Sequence, residues 1–101
     1  MSPDREDSPA SPEVRHNSQR HRFYIPLDEG EAHLDYERID SQTVDYAHTF
    51  VSEELRGRGL AGHLVQQSLE HARDQGWRVI PSCPFVASYL KDHPEYQDLR
   101  A

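Results

Sequence analysis

From Phe23 onward apolar and polar residues alternate. Phe23, Ile25 and Leu27 fall on one side of a short strand, which Pro26 and the turn Asp28-Glu29-Gly30 bring to an end. Ala32, Leu34 and Tyr36 keep the same period and predict a hairpin partner, before Asp40-Ser41 turns the chain again. The run from Gln42 to Val51 predicts a third strand. Its expected faces are Val44, Tyr46, His48 and Phe50 on one side and Thr43, Asp45, Ala47, Thr49 and Val51 on the other. Short connections make these three an antiparallel meander.

The period then changes from two to about 3.6. Leu60, Ala61, Leu64, Val65, Leu69 and Ala72 form one apolar stripe on a helix that Gly76 ends. Trp77-Arg78-Val79-Ile80 predicts a fourth strand. A second helix is expected from Pro84, since proline is tolerated at the first helical position, with Phe85, Val86, Tyr89 and Leu90 as its apolar face. His93-Pro94 ends it, because the residue before proline avoids helical dihedrals. The order strand, strand, strand, helix, strand, helix predicts an α/β fold with one mixed, mainly antiparallel sheet.

Composition sharpens this picture locally. The chain has 101 residues, enough for one small domain, and only 35% of them are hydrophobic. The shortfall lies at the start: up to about Arg20 the chain holds Pro3, Pro9, Pro12 and four serines, with almost nothing large and apolar. Such a segment cannot bury enough surface to offset its ordering entropy. It reads as a disordered tail, with the division placed at residues 1–15 for the tail and 16–101 for the folded domain.

The formal charge of −7 argues against nucleic acid and against an anionic membrane surface, both of which are bound through Lys and Arg. The single Cys83 excludes an intramolecular disulfide and any multi-thiolate zinc site. No apolar run approaches the roughly 20 residues of a membrane span, and the start Met1-Ser-Pro-Asp-Arg-Glu-Asp lacks the core of a signal peptide. A reducing, cytoplasmic setting is expected.

Between the third strand and the long helix lies Arg56-Gly57-Arg58-Gly59-Leu60-Ala61-Gly62. The glycines remove side chains that would keep a ligand from the backbone, and the helix start offers unpaired N–H groups and a partial positive charge. A diphosphate fits such a place, with Arg56 and Arg58 adding charge in an otherwise acidic chain. A Walker loop would need Gly-Lys-Ser/Thr, and a dinucleotide fingerprint a third glycine and an acidic ribose anchor; neither is present. The remaining alternative is a plain strand-to-helix turn with solvated arginines.

Arg56-Gly57-Arg58-Gly59-Leu60-Ala61 resembles the Gln/Arg-x-x-Gly-x-Gly/Ala signature of the GNAT acetyltransferases, placed as in that superfamily between a strand and its central helix. Cys83-Pro84-Phe85-Val86, Tyr89 and His93-Pro94-Glu95-Tyr96 resemble the ending of its small YjdJ-type branch, and the likeness runs from about Val14 to the C-terminus. The resemblance implies the acyl-coenzyme A N-acyltransferase fold and binding of acetyl-coenzyme A. Backbone amides from Arg56 to Ala61 would hold the pyrophosphate, with His63 near the phosphates. Main-chain groups of Phe50 and Val51 would run beside the pantetheine arm.

Acetylation of an amine needs a neutral nucleophile, a polarised thioester and a stabilised leaving thiolate. Cys83, at the expected helix N-terminus where a thiolate is favoured, is a candidate acyl carrier or acid and base; the alternative is a small buried hydrophobe. His48 is a second candidate, against a hydrogen-bonded core histidine. Glu53 or Glu54 could deprotonate an amine, or serve only as favourable charge near a helix start. By the superfamily likeness Tyr89 could protonate the departing coenzyme thiolate, although its spacing also fits packing. No metal is expected, since His63 and His71 stand too far apart on one helix to chelate an ion together.

Only Asp28-Glu29-Gly30 separates the first two predicted strands, where the superfamily usually places the helical wall of its acceptor side. The expected acceptor is therefore an exposed amine, on a protein lysine, a peptide or a polyamine, drawn to an acidic surface. A non-catalytic acyl-coenzyme A sensing module and a purely structural domain are the alternatives. Tyr89 and Tyr96 would serve a weak homodimer if the protein is not a monomer.

Overall fold

The computed structural model describes residues 12–101. Five strands form one sheet in sequential order: β1 (Arg15–Asn17), β2 (Arg22–Pro26), β3 (Glu31–Arg38), β4 (Thr43–Val51) and β5 (Arg78–Ile80). The first three pairings are antiparallel and β4 pairs with β5 in parallel, the crossover being made by α1 (Leu60–Gln75). Helix α2 (Pro84–Asp92) and a 3-10 segment (Pro94–Leu99) complete the chain. The α/β class and single mixed sheet expected from patterning are those of the molecule.

β1 was not among the expected elements and straddles the division placed between tail and domain. Its His16 is held by Phe23 (ring centroids 4.5 Å), by His71 of α1 (4.5 Å) and by the Tyr36 hydroxyl, 2.6 Å from Nε2. Val14 packs on the core, and His63 Nε2–H donates to the Pro12 carbonyl at 2.7 Å. Single aromatic contacts thus order a strand whose composition is polar. The part of the expected tail at residues 1–11 lies outside the described residues.

One sheet face is covered. Phe23, Ile25, Leu34, Tyr36, Val44, Tyr46 and Val79 form one core with Leu64, Val65 and Leu69 of α1 and Val86 and Leu90 of α2. Tyr46 reaches across it to donate its buried hydroxyl to the Ser68 carbonyl at 2.6 Å. The opposite face, with Arg22, Tyr24, His33, Asp35, His48 and Phe50, carries no helix among the described residues. No described helix is long and apolar enough to cross a membrane.

β4 departs from its expected faces. Asp35 pairs with His48 but Tyr36 pairs with Tyr46, so Ala47 is an extra residue, a β-bulge. Beyond it the alternation inverts: Thr49 and Val51 turn toward the helices, and His48 and Phe50 toward the open face. His48 therefore does not share a face with Val44 and Tyr46, because one inserted residue reverses a period of two.

Candidate functional site

The last rung between β4 and the segment after β5 is the Cys83 amide bonded to the Tyr46 carbonyl at 3.0 Å. The bulge follows at once, and the two segments diverge. Into this split α1 and α2 both present their first turns.

The loop before α1 has the geometry of an anion cradle. Gly57 and Gly59 adopt φ of 86° and 74°, left-handed values that other residues reach only with strain. A Cβ added at either would meet nothing within 4 Å, so the loop faces open space. Gly59 is the N-cap of α1 and no side chain caps that end, leaving first-turn amides to an outside acceptor. Val51, Leu55, Arg56, Gly59, Ala61 and Phe85 line a cavity of about 230 Å³ here. A second, of about 300 Å³, continues along β4 past Thr49, Phe50 and Val51, again with Arg56, Ala61 and Phe85. Together they form one groove from the glycine loop to the split.

The groove ends beside Cys83, the N-cap of α2, which is only 6% exposed. Its Sγ lies 3.5 Å from Thr49 Oγ1, close enough for the hydroxyl to donate to a thiolate. Burial pushes the thiol up, but Thr49 and the amides of Val86 and Phe85 outweigh it and hold Cys83 below its ordinary value. Neither amide makes a formal capping hydrogen bond to sulfur; their effect is that of nearby dipoles.

The expected site residues separate into two sets. Phe50, Val51, Arg56, Gly57, Gly59, Leu60 and Ala61 line the groove, and Cys83 stands at its end. Tyr89 adjoins the start of α1: a Cβ on Gly62 would lie 3.9 Å from its Cε2, and its ring stacks on His93 at 3.8 Å. Burial pushes its phenol up, with Glu95 and Glu70 acting in the same direction. Arg58, by contrast, leans on Glu29 at 3.5 Å and lines neither cavity. Glu53 is exposed on the 3-10 turn before the loop, and His63 is engaged with Pro12; neither lines the groove. His48 lies on the open face. No described cluster of His, Cys, Asp and Glu has the makings of a metal site.

Thr49 and Phe85 were missed as site residues by sequence reasoning. Thr49 reaches Cys83 only because of the bulge. Phe85 was expected in the core, yet it is 43% exposed and walls both cavities, since Val86 and Leu90 alone take the buried positions of α2. Their signal was faint: Phe85 directly follows the helix-starting proline, a position that often points outward.

Comparison with known proteins gives a consistent result. Residues 22–99 match the sequence profile of a family described as GCN5-related N-acetyl-transferase. Protein NATD1 of Xenopus tropicalis is 31% identical over 90 residues, covering 87% of this chain and 83% of that one. Protein NATD1 of Mus musculus is 32% identical over 83 residues, covering 80% and 76%. The solution structure of a GCN5-like protein from Staphylococcus aureus superposes with a TM-score of 0.70 at 32% identity, covering 90% of this chain and 89% of that one.

Proposed function

The chain belongs to the GCN5-related N-acetyltransferase family, and from that premise we propose that it transfers an acetyl group from acetyl-coenzyme A to an amine. One observation supports this above the rest: an uncapped helix start with two left-handed glycines opens into a groove whose far wall, Thr49, lies 3.5 Å from the Cys83 thiol. The residues fit the coenzyme. The space beside Gly57 and Gly59 is open, the start of α1 has no side-chain cap, and a pyrophosphate would be received there by the amides up to Ala61; Arg56 lies along the groove with its Nε donating to the Val51 carbonyl at 3.3 Å. Phe50, Val51 and Phe85 supply an apolar wall for the pantetheine arm.

The bound coenzyme supplies an activated thioester. The chain's own groups would orient it and manage protons: Cys83, held toward its thiolate by Thr49, as proton acceptor or acyl carrier, and Tyr89 as proton donor to the leaving sulfur. The acceptor class is an exposed amine on a protein, a peptide or a polyamine. A cytoplasmic setting, and a monomer or weak dimer, complete the reading.

Calorimetric titration with acetyl-coenzyme A tests it. The wild-type chain binds; Gly59→Glu, which puts a carboxylate in the cradle, loses binding. Gly59→Asn tolerates the left-handed backbone and separates loss of the ligand from loss of the fold, with affinity reduced but measurable. Equal affinity in wild type and Gly59→Glu would overturn the assignment. Release of free thiol, with and without lysine peptides, separates an enzyme from a coenzyme-binding module.

A further inference from the structure

The open sheet face holds a cavity of about 390 Å³, larger than either cavity of the groove, lined by Asn17, Arg22, Tyr24, Leu27, Glu31 and His33 among others. It adjoins the groove. The His33 ring lies 5.5 Å from that of Phe50, and Phe50 is itself a wall of the groove at the free edge of β4. Neither the glycine loop nor Cys83 accounts for this second concavity.

Its charges are arranged by strand. The β3 side, nearest β4, carries Glu31, His33 and Asp35, and Glu37 and Asp45 stand on the same face. Arg20 and Arg22 lie on the side toward β1, and Arg22 is already committed to Asp35 by two hydrogen bonds of 2.6 and 3.2 Å. A cation is thus favoured on the β3 side, next to the groove.

His33 is the unusual group there. Its side chain is 12% exposed, and its Nδ1 is buried without a hydrogen-bond partner among the described residues, 3.5 Å from Asp35 Oδ1. A carboxylate thus stands near each ring nitrogen without hydrogen-bonding it, and in the tautomer protonated at Nδ1 it is Nε2, 3.7 Å from Glu31 Oε1, that accepts. Resting on acetyl transfer as the activity, we propose that this open face receives the acceptor as a primary ammonium on an aliphatic arm, and that His33 takes its proton. One proton passes from the ammonium to Nε2, leaving a neutral amine with its lone pair free and an imidazolium flanked by Glu31 and Asp35. The groups facing His33 are Arg22 and Tyr24 from β2, Glu31 and Asp35 from β3, and His48 from β4. Burial lowers the imidazolium below its ordinary range, aided by Arg22 and His48 and opposed by Asp35 and Glu31, so the ring is neutral near pH 7.

The test is an NMR titration of the full chain, with coenzyme A present, using spermidine in one arm and a lysine-bearing peptide in the other. The expected result is movement of the His33 ring, Tyr24 and Glu31 resonances; the Tyr24 and Glu31 shifts are lost in His33→Gln, and the His33 and Tyr24 shifts are weakened in Glu31→Gln, whose side chain is exposed. Movement with spermidine alone assigns a polyamine, with the peptide alone a protein lysine, and with both the ammonium itself. In turnover assays His33→Gln loses amine-dependent thiol release at least tenfold while calorimetry finds coenzyme affinity unchanged. If neither amine moves these resonances, or if those of Tyr24 and Glu31 move equally in His33→Gln, the proposal is overturned even with coenzyme binding intact. Amine-induced shifts without coenzyme binding would fault the reading of the groove and uphold this face.

Discussion

At Cys83 burial and hydrogen bonding act in opposite directions, and hydrogen bonding prevails. Two variants measure how far this serves chemistry. Cys83→Ala is expected to lower turnover at least tenfold, about 1.4 kcal/mol in barrier, with acetyl-coenzyme A affinity retained; unaltered turnover would leave the thiol a packing residue. Thr49→Val is expected to raise the thiol pKa, read as an alkylation rate whose rise with pH is displaced upward. The histidines give a second residue-scale expectation. Burial lowers His16 and His71, with His71 and His21 adding to the effect on His16 and Asp74 opposing it on His71. The unfolded chain therefore binds protons first as pH falls, so stability present above the ordinary histidine value of about 6.5 declines as pH drops below it. Urea unfolding between pH 7.5 and 5 checks this, and a His71→Phe variant, which keeps the ring packing without the titration, shows a flatter profile. At this scale Cys83, Arg56 and the glycines were legible as candidates because their chemistry is local; Arg56 and the glycines line the groove and Cys83 stands behind its Thr49 wall. The face of β4 on which Thr49 and His48 stand was misread and His33 was not singled out, because the side on which a strand residue stands depends on every residue between it and the last register mark.

Regular elements were legible where one period ran long enough. The stripe on α1 and its stop at Gly76 needed no tertiary information, and Gly76 has a φ of 72° with its amide bonded to Arg73. Gly76→Ala is expected to lower the unfolding free energy by about 1–2 kcal/mol, the strain of a Cβ in that region, with coenzyme affinity unchanged. Two features were hidden. β1 has three residues, too few to show an alternation, and its order comes from His16 meeting Phe23, Tyr36 and His71. The bulge at Ala47 carries no turn residue, since its cause is the pairing of β3 with β4 and not any preference of alanine.

For the molecule as a whole, length and charge bounded the answer early, while β1 changes where an acceptor wall would be expected. The first two strands are now β1 and β2, joined only by residues 18–21, and that short turn stands where the family's helical region would be sought. The open face follows from it. Removing residues 1–17 is expected to lower the melting temperature by several degrees and promote self-association, seen by light scattering. The deletion uncovers Phe23 and His71 and leaves the β2 edge unpaired.

The strand order has a further consequence, in time. Four strands pair with their neighbours in sequence through short turns, so their contacts close small loops and form early. The β4–β5 pairing alone must wait for the whole of α1 to be laid down, and the Cys83–Tyr46 rung waits with it. The split beside Cys83 is thus expected to assemble after the meander and to open before it under native conditions. Amide hydrogen exchange should find Cys83 faster than the interior of β3, and a ligand spanning the split should slow it most.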